Sequence, residues 1–219
     1  MTIFTKIASK DNRLDYKDRQ NYANDLGCDA YIEFHYNGKE IDRPGILDNP
    51  ATILVADNSS YRTRDMASAL LDKACSRLGL VNGGVKVLRP SEAGYWNTYY
   101  ASGNSMLLEL LWVSDQEQAA MAADLSVQLV LADCIREMCE EYEVTDCALS
   151  LGHKFKATDV NDKGAPVFGQ DYSEIAEADL AEELMDLLLD ITEPEAAEPE
   201  AIIAAIEGLL NVLKKTLGI

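Results

Sequence analysis

The stretch Cys147–Leu180, CALSLGHKFKATDVNDKGAPVFGQDYSEIAEADL, combines the features that decide how the rest of the chain is interpreted. It opens with a short apolar run of strand character that leads to Gly152 and His153. A polar loop follows, and then an acidic helix start that carries Glu174 and Glu177. Ligands bind beyond the carboxyl ends of strands in open α/β sheets, so this order of elements suits a metal site.

Segments of strand and helix character alternate along the preceding residues. Strands are predicted in TIFTK (2–6), CDAYIEFHYNG (28–38), ATILVAD (51–57), GGVKVLRP (83–90) and SMLLELLWVS (105–114). Helices are predicted between the first two strands, in SYRTRDMASALLDKACSRLGL (60–80), and as one long helix from Asp115 to Tyr142. This alternation predicts an α/β fold with a single open twisted sheet flanked by helices on both faces.

The end of the chain predicts three further pieces. A helix that starts near Ser173 completes a main domain of residues 1–191. The acidic tract TEPEAAEPE, 192–200, predicts a linker, because proline interrupts a helix and the glutamates repel one another. Residues 201–219 predict an amphipathic C-terminal helix with apolar residues at helical spacing. Its few basic residues favour self-association or docking on a partner over membrane binding, and packing against its own domain is the remaining alternative.

Composition restricts the function classes. The net charge of −19 excludes a protein that holds nucleic acid through a basic surface. The five cysteines form no CxxC pair and are odd in number, which predicts reduced and mostly buried thiols. No secretory signal or run long enough to span a bilayer is evident, so we expect synthesis and folding in the cytoplasm and no stable membrane insertion.

Few residues are able to carry the chemistry. The only two histidines, His35 and His153, both follow predicted strands, and two imidazoles with one carboxylate and an open position make a catalytic zinc site. Glu177 is the candidate carboxylate and Glu174 the alternative, although acids on a helix start also complement its dipole. A lone histidine is more often a hydrogen-bonded structural residue. Glu109, inside MLLELLWV, is a candidate base because a buried carboxylate is costly unless it is paired or used.

Four segments together resemble one enzyme family. They are RQNYANDLGCDAYIEFHYN (19–37), NGGVKVL (82–88), SMLLELLWVSD (105–115) and the opening stretch, with its Gly-His, Asp-x-Gly-Ala and Glu-x-Asp-Leu patterns. They are similar to blocks of the zinc-dependent N-acetylmuramoyl-L-alanine amidases of type 3 (AmiC-like). The resemblance implies that His35, His153 and Glu177 bind Zn²⁺, that Glu109 is catalytic, and that the substrate is the N-acetylmuramoyl-L-alanine amide of peptidoglycan.

The order of these blocks differs from that of the family. The family begins with the Gly-His block and its helix, whereas here both follow the block that contains Glu109. The resemblance therefore implies a circular permutation, cut between the family's first helix and second strand. Cutting an exposed loop and joining nearby termini are compatible with an unchanged fold.

Individual departures from the family raise further alternatives. Glu33 stands where the family has serine, and it shares a strand face with His35, so it is either a partner of that imidazole or an extra charge near the metal. The aromatic residues of the loop before the Glu109 strand either line a groove or form a local packing cluster; they are Tyr95, Trp96, Tyr99 and Tyr100.

Two settings follow from the whole chain. Without an export signal, the expected role is a phage-type lysin that reaches the cell wall after release from the cytoplasm. The alternative is a catalytically degenerate amidase fold that serves as a structural or assembly module through its C-terminal helix.

Overall fold

A computed structural model describes residues 1–9, 14–38, 49–152, 167–168 and 177–190 of the chain. Within these ranges six strands form one sheet. The strands are β1 (Ile3–Ala8), β2 (Ala30–Asn37), β3 (Ala51–Ala56), β4 (Asn82–Leu88), β5 (Asn104–Trp112) and β6 (Asp146–Leu151). All five strands predicted before the opening stretch, and the strand that begins it, are confirmed.

The sheet has the order β1-β6-β2-β5-β3-β4. The first four strands in this order run parallel to one another, while β3 and β4 run parallel to each other and antiparallel to β5. The last of the described strands along the chain, β6, is thus inserted between the first two. This places the carboxyl ends of β2, β5 and β6 side by side at one edge of the sheet.

Helices cover both faces of the sheet, as predicted. They are α1 (Tyr16–Asp25), α2 (Tyr61–Leu78), α3 (Trp96–Tyr99), α4 (Gln116–Ala122), α5 (Leu125–Glu141) and α6 (Glu177–Asp190). On one face α2 and α6 pack on the strands and α5 packs against both helices, whereas α1 and α3 lie on the other face. The longest of the described helices, α2, begins at the cap residue Ser60, whose side chain accepts from Thr63 N, and ends at Gly79, which has the left-handed φ of 69°.

The prediction of one long helix from Asp115 to Tyr142 is wrong. The segment forms α4 and α5, joined at Ala123 and Asp124 with a bend of 72°. The side chain of Asp124 accepts a hydrogen bond from Ser126 N and caps the second helix, so the helical pattern restarts in a new direction. Among the described residues no single helix is long and apolar enough to cross a membrane, and this bent pair meets the length and hydropathy criteria only when its two helices are taken together.

Strand β2 shows how the sheet divides its side chains between two cores. Ile32 and Phe34 face the large core beneath α2, α5 and α6, while Tyr31 faces a small cluster with Ile7 and Ala23. The predicted alternation along this strand is confirmed. It directs Glu33 and His35, two residues apart, to the face that α1 and α3 cover.

Several predictions fall outside the described residues. They concern His153 and the polar loop after it, Glu174 and the helix start near Ser173, the linker at 192–200 and the C-terminal helix at 201–219. In the described part, α6 is present from Glu177. The prediction of mostly buried cysteines is confirmed, since Cys75, Cys134, Cys139 and Cys147 are buried and only Cys28 is partly exposed.

Candidate metal and catalytic centre

Two of the predicted site residues lie on neighbouring strands. In the register of β2 and β5, His35 is paired directly with Glu109. On the other side of β2, strand β6 ends next to Phe34, and Gly152 N donates a hydrogen bond of 3.1 Å to Phe34 O. The three strand ends therefore present His35, Glu109 and the residue before His153 at the same edge of the sheet.

A third predicted residue reaches this edge from the first turn of α6. The carboxylate oxygen Glu177 Oε1 lies 3.2 Å from His35 Nδ1 and accepts a 3.0 Å hydrogen bond from Tyr36 N. Glu177 is only 3% exposed, although it opens an acidic helix. The contact with the main chain of β2 orients the carboxylate toward the imidazole, so Glu177 is not part of a solvated acidic face.

The opposite nitrogen of the same imidazole meets a second carboxylate. His35 Nε2 lies 3.2 Å from Glu33 Oε1, and Glu33 is fully buried. Tyr31 Oη donates to Glu33 Oε2, Asn97 Nδ2 donates to Glu33 Oε1, and Arg19 Nη1 lies 3.8 Å from Oε2. Both oxygens of this buried carboxylate therefore have polar partners.

The guanidinium of Arg19, which α1 buries against the sheet, also holds the end of β6. It donates to Leu151 O, to Ser150 Oγ at 3.3 Å and to Gly152 O at 3.2 Å. Gly152 is required here for space, because a Cβ at this position would lie 1.8 Å from His35 Nε2. The imidazole is thus in contact with the backbone that leads directly into His153.

Glu109 occupies a less enclosed position than Glu33. One of its oxygens, Oε2, accepts a 3.1 Å hydrogen bond from Asn37 Nδ2. Burial raises the pKa of Glu109 and nearby Glu177 adds to that, while the positive charge of His35 opposes it. A carboxylate with a raised pKa beside a polar edge is suited to taking up and returning a proton.

Charge at His35 is controlled by its two carboxylate neighbours. Burial by itself lowers the pKa of the imidazole, but hydrogen bonding and attraction to Glu177 and Glu33 outweigh it and raise the pKa to about 10. Burial likewise opposes ionisation of Glu33, yet Arg19, His35 and Tyr31 hold its pKa below the ordinary value. The positive charge of the imidazole is therefore favoured by the two carboxyl groups that flank it.

These donors fit a zinc ion as far as they are described. Two ligands on a tetrahedral zinc, each about 2.0–2.1 Å from the metal, are separated by about 3.3 Å. The 3.2 Å between His35 Nδ1 and Glu177 Oε1 agrees with that separation. Within the described ranges no group of three or more His, Cys, Asp or Glu side chains is arranged to hold a metal, and the third predicted ligand, His153, lies outside them.

The aromatic segment before β5 packs as a cluster. The rings of Tyr95, Trp96, Tyr99 and Tyr100 contact one another, and Tyr95 is buried with Leu54, Ala56, Leu88 and Leu107. Gln20 connects this segment to α1, because its side chain donates a hydrogen bond to Trp96 O and accepts one from Tyr100 N. The packing interpretation is therefore supported, and a role in lining a groove stays a prediction that the 38% exposure of Trp96 permits.

Sequence reasoning missed the residues that support the centre. Arg19, Asn37 and Asn97 each contact a site carboxylate. Arg19 and Asn37 stand at the two ends of the family-like block 19–37, so that block contained a signal for both. Asn97 carried no such signal, because its contact with Glu33 joins residues 64 apart in the chain.

Comparisons with known proteins agree with this architecture. A family model described as N-acetylmuramoyl-L-alanine amidase matches residues 2–141. No curated protein sequence matches the chain. An N-acetylmuramoyl-L-alanine amidase structure from Clostridium difficile 630 superposes with a TM-score of 0.52 at 15% identity, covering 59% of this chain and 66% of that one.

Two further structures superpose over similar lengths. The catalytic domain of CwlV, an N-acetylmuramoyl-L-alanine amidase from Bacillus (Paenibacillus) polymyxa var. colistinus, gives a TM-score of 0.49 at 17% identity, covering 60% of this chain and 68% of that one. The amidase AmiC2 of Nostoc punctiforme gives 0.49 at 19% identity, covering 59% and 66%. The chain thus spans about two thirds of the length of these structures.

Proposed function

Because this chain belongs to the N-acetylmuramoyl-L-alanine amidase family, we propose that it hydrolyses the amide bond between the lactyl group of N-acetylmuramic acid and L-alanine in peptidoglycan. One observation connects the proposed reaction with particular residues of the chain. His35 and Glu177 meet at the sheet edge where the paired residue Glu109 also lies. A cation-binding pair beside a carboxylate with a raised pKa is the combination that amide hydrolysis requires.

The proposed cofactor is Zn²⁺, held by His35, His153 and Glu177. The 3.2 Å between His35 Nδ1 and Glu177 Oε1 is compatible with two ligands of one zinc ion, and His153 follows Gly152, which touches the His35 ring. Glu174 is the alternative carboxylate ligand. Bound here, zinc would polarise the scissile carbonyl and activate a water molecule at neutral pH.

The protein's own groups supply the proton transfers. Glu109 accepts a proton from the attacking water and donates it to the leaving nitrogen of L-alanine, which departs as an amine. Asn37 keeps Oε2 of Glu109 in place, so the other oxygen is directed away from this hydrogen bond. The raised pKa of Glu109 favours the proton-bearing state that the second transfer needs.

The permuted chain order is part of the proposal. The family match ends at residue 141, and β6, which follows it, fills the position between β1 and β2. This supports β6 and α6 as the counterparts of the family's first strand and helix. A rearranged chain in which residues 144–219 precede Met1 through a flexible linker should reach the same fold, with a similar circular dichroism spectrum; a rearranged chain that stays unfolded would contradict the permutation.

The biological setting stays a prediction. Cytoplasmic synthesis followed by phage-type release to the wall is inferred from the sequence alone. The alternative, a degenerate fold that acts as an assembly module through residues 201–219, predicts a protein that neither binds zinc nor cleaves the wall. Metal content of the purified protein separates the two.

Substitution of Glu109 by glutamine tests the reaction. Glutamine keeps the size of the side chain but is unable to accept the proton, so activity should fall by about 10²–10⁴-fold while zinc content is unchanged. Purified peptidoglycan is digested, and newly exposed N-terminal alanine is quantified together with new reducing ends. An amidase exposes alanine amino groups and creates no reducing ends.

A matched control is Glu137→Gln, the same change at an exposed acid paired with Arg77 between α2 and α5. It should retain full activity. Full activity of Glu109→Gln would show that Glu109 is not the base. Absence of alanine release by the unsubstituted, zinc-loaded protein would contradict the amidase proposal itself.

A further inference from the structure

The fully buried carboxylate of Glu33 has no place in the proposed reaction, and its surroundings indicate what it does. It lies in the interior of the sheet, with Leu107 of β5 and Ser150 of β6 as its register partners. Placing an ionised acid there is costly unless other groups compensate its charge. The chain provides Arg19, Tyr31 and Asn97 for that purpose.

The arrangement of these partners suits Glu33 to the role of a hydrogen-bond acceptor. Oε2 accepts from Tyr31 and faces Arg19, while Oε1 accepts from Asn97 and contacts His35 Nε2. A carboxylate whose oxygens are already engaged by protein donors is suited to receiving an N–H from the imidazole. Metal-binding histidines commonly donate their second ring N–H to such an acceptor.

Each ring nitrogen of His35 faces a carboxylate oxygen at 3.2 Å, Nδ1 that of Glu177 and Nε2 that of Glu33. With Glu177 as a metal ligand, Glu33 is the acceptor that remains for the ring N–H. This favours the form that carries its hydrogen on Nε2 and has its lone pair on Nδ1. Gly152 lies against one side of the same ring and leaves no room for the ring to move in that direction. Arg19, the cation beside Glu33, donates a hydrogen bond to the carbonyl oxygen of Gly152.

We propose that Glu33 is a positioning residue that accepts the Nε2–H of His35 and thereby presents Nδ1 to the metal, with Arg19 holding the end of β6 against the same ring. The proposal rests on the proposed zinc site. It adds that this chain selects one ring nitrogen of His35 through a buried ion pair, and that the pair joins α1, β2 and β6 into one support for the centre.

The direct test needs no substitution. Two-bond ¹H–¹⁵N correlations of the zinc-loaded protein report which nitrogen of each of its two imidazoles is protonated. We expect His35 to show a protonated Nε2 and a metal-shifted Nδ1. A protonated Nδ1 with the metal on Nε2 would overturn the proposal, whether or not the protein is active.

Substitutions of Glu33 then measure how much this residue contributes to zinc affinity. Zinc affinity, determined by competition with a chromophoric chelator, should fall by about 10–100-fold in Glu33→Ala and less in Glu33→Gln, whose carbonyl still accepts from Nε2–H. The control Glu182→Gln changes an acid that is also buried but pairs with Lys6, and it should leave zinc affinity unchanged. If both Glu33 variants fold and bind zinc as tightly as the unsubstituted protein, the proposal is wrong.

The possible failures are distinguishable. An unsubstituted protein that binds no zinc overturns the proposed metal site and this inference together. A zinc-binding protein that is indifferent to Glu33 overturns only the inference. If Glu33→Ala leaves Arg19 uncompensated and does not fold, the double variant Arg19→Met, Glu33→Met removes both charges, and its zinc affinity should still be reduced.

Discussion

The two ends of β2 are both tied to β6 through charged side chains, but in opposite environments. At the amino end, the exposed carboxylate of Asp29 accepts hydrogen bonds from Thr145 N at 2.8 Å and Thr145 Oγ1 at 2.6 Å. At the carboxyl end, Glu33 and Arg19 join the two strands while excluded from water. The same task of holding strands together is performed once with solvated groups and once with buried ones.

This difference distinguishes charged groups that stabilise the fold from charged groups that are costly to the fold. A solvated carboxylate at a strand end gives a modest gain at little cost in desolvation. A buried ion pair is rarely the most stable solution for a protein core, since apolar residues of similar volume are often as stabilising or more so. The acids and bases concentrated at the carboxyl end are therefore consistent with the chemistry proposed for that end. Substitutions at the two ends should accordingly affect different properties.

The largest effect is expected from Glu177→Gln at the carboxyl end. The change removes the charge of a proposed ligand while keeping its shape, and zinc affinity should fall by more than about 100-fold, because loss of even an outer partner costs 10–100-fold. Chelator competition measures the affinity, and alanine release from peptidoglycan should decline with it. Unchanged zinc affinity would indicate that Glu174, and not Glu177, is the carboxylate ligand.

Gly152→Ala should have the next largest effect on the centre. The added Cβ would lie 1.8 Å from His35 Nε2, so the ring must turn away from its two carboxylates. We expect a loss of about 10-fold in zinc affinity, comparable to removal of an outer partner. The colliding atoms belong to a side chain that is able to move, so the effect on folding should be the smaller one. Tight zinc binding by this variant would mean that the ring has no fixed position.

Gly103→Ala is the matched substitution at the amino end. Its Cβ would lie 2.6 Å from Asp29 O and 2.7 Å from Cys28 O, which are backbone atoms. Relief requires a shift of the chain entering β2, and the free energy of unfolding should fall by about 1–3 kcal/mol. Urea denaturation measures this loss, while zinc affinity should be retained. A loss of zinc binding without a loss of stability would remove the distinction between the two ends.

The smallest effect is expected from Asp29→Asn and depends on pH. Hydrogen bonding from the side chain and backbone of Thr145 lowers the pKa of Asp29. A lowered folded-state pKa stabilises the protein above the unfolded value of about 3.9, and this contribution is lost as pH falls through the folded value. The variant should thus be less stable than the unsubstituted protein near pH 6, by less than about 1 kcal/mol because the group is exposed.

Thermal unfolding between pH 2.5 and 6, with a chelator present in both samples, measures that difference. The gap in midpoint temperature should narrow on acidification, as Asp29 becomes protonated and resembles the neutral amide. A gap that is constant or that widens at low pH would show that Asp29 does not stabilise the amino end through its charge.

Local patterns predicted much of the fold because they depend on neighbouring residues. Alternation in CDAYIEFHYNG correctly placed Glu33 and His35 on one face. The break between α4 and α5 was missed, because the apolar spacing continues past Asp124 while the cap that interrupts it depends on one side chain. Sheet order and the antiparallel direction of β3 involve residues far apart, which no local pattern reports.

The centre could be predicted only in part for a related reason. Metal ligands and general bases are restricted to a few residue types, so His35, Glu109 and Glu177 could be chosen as candidates by type and place. Supporting residues are less restricted, and Asn97 could be recognised only once α3 was seen to pack beside β2. Hydrogen bonds between residues far apart in the chain could not be predicted from the sequence.

The position of β6 between β1 and β2 has a consequence for synthesis on the ribosome. In the described sheet β1 pairs with β6 alone, and β6 begins more than 100 residues after β2 ends. While the nascent chain is being extended at about 5–20 residues per second, the first strand remains without its partner. Pairing of β6 with β1 and β2 brings together distant parts of the chain, and contacts of this kind slow folding. The proposed centre is therefore completed only after β6 and α6 have been synthesised, when β6 enters between β1 and β2.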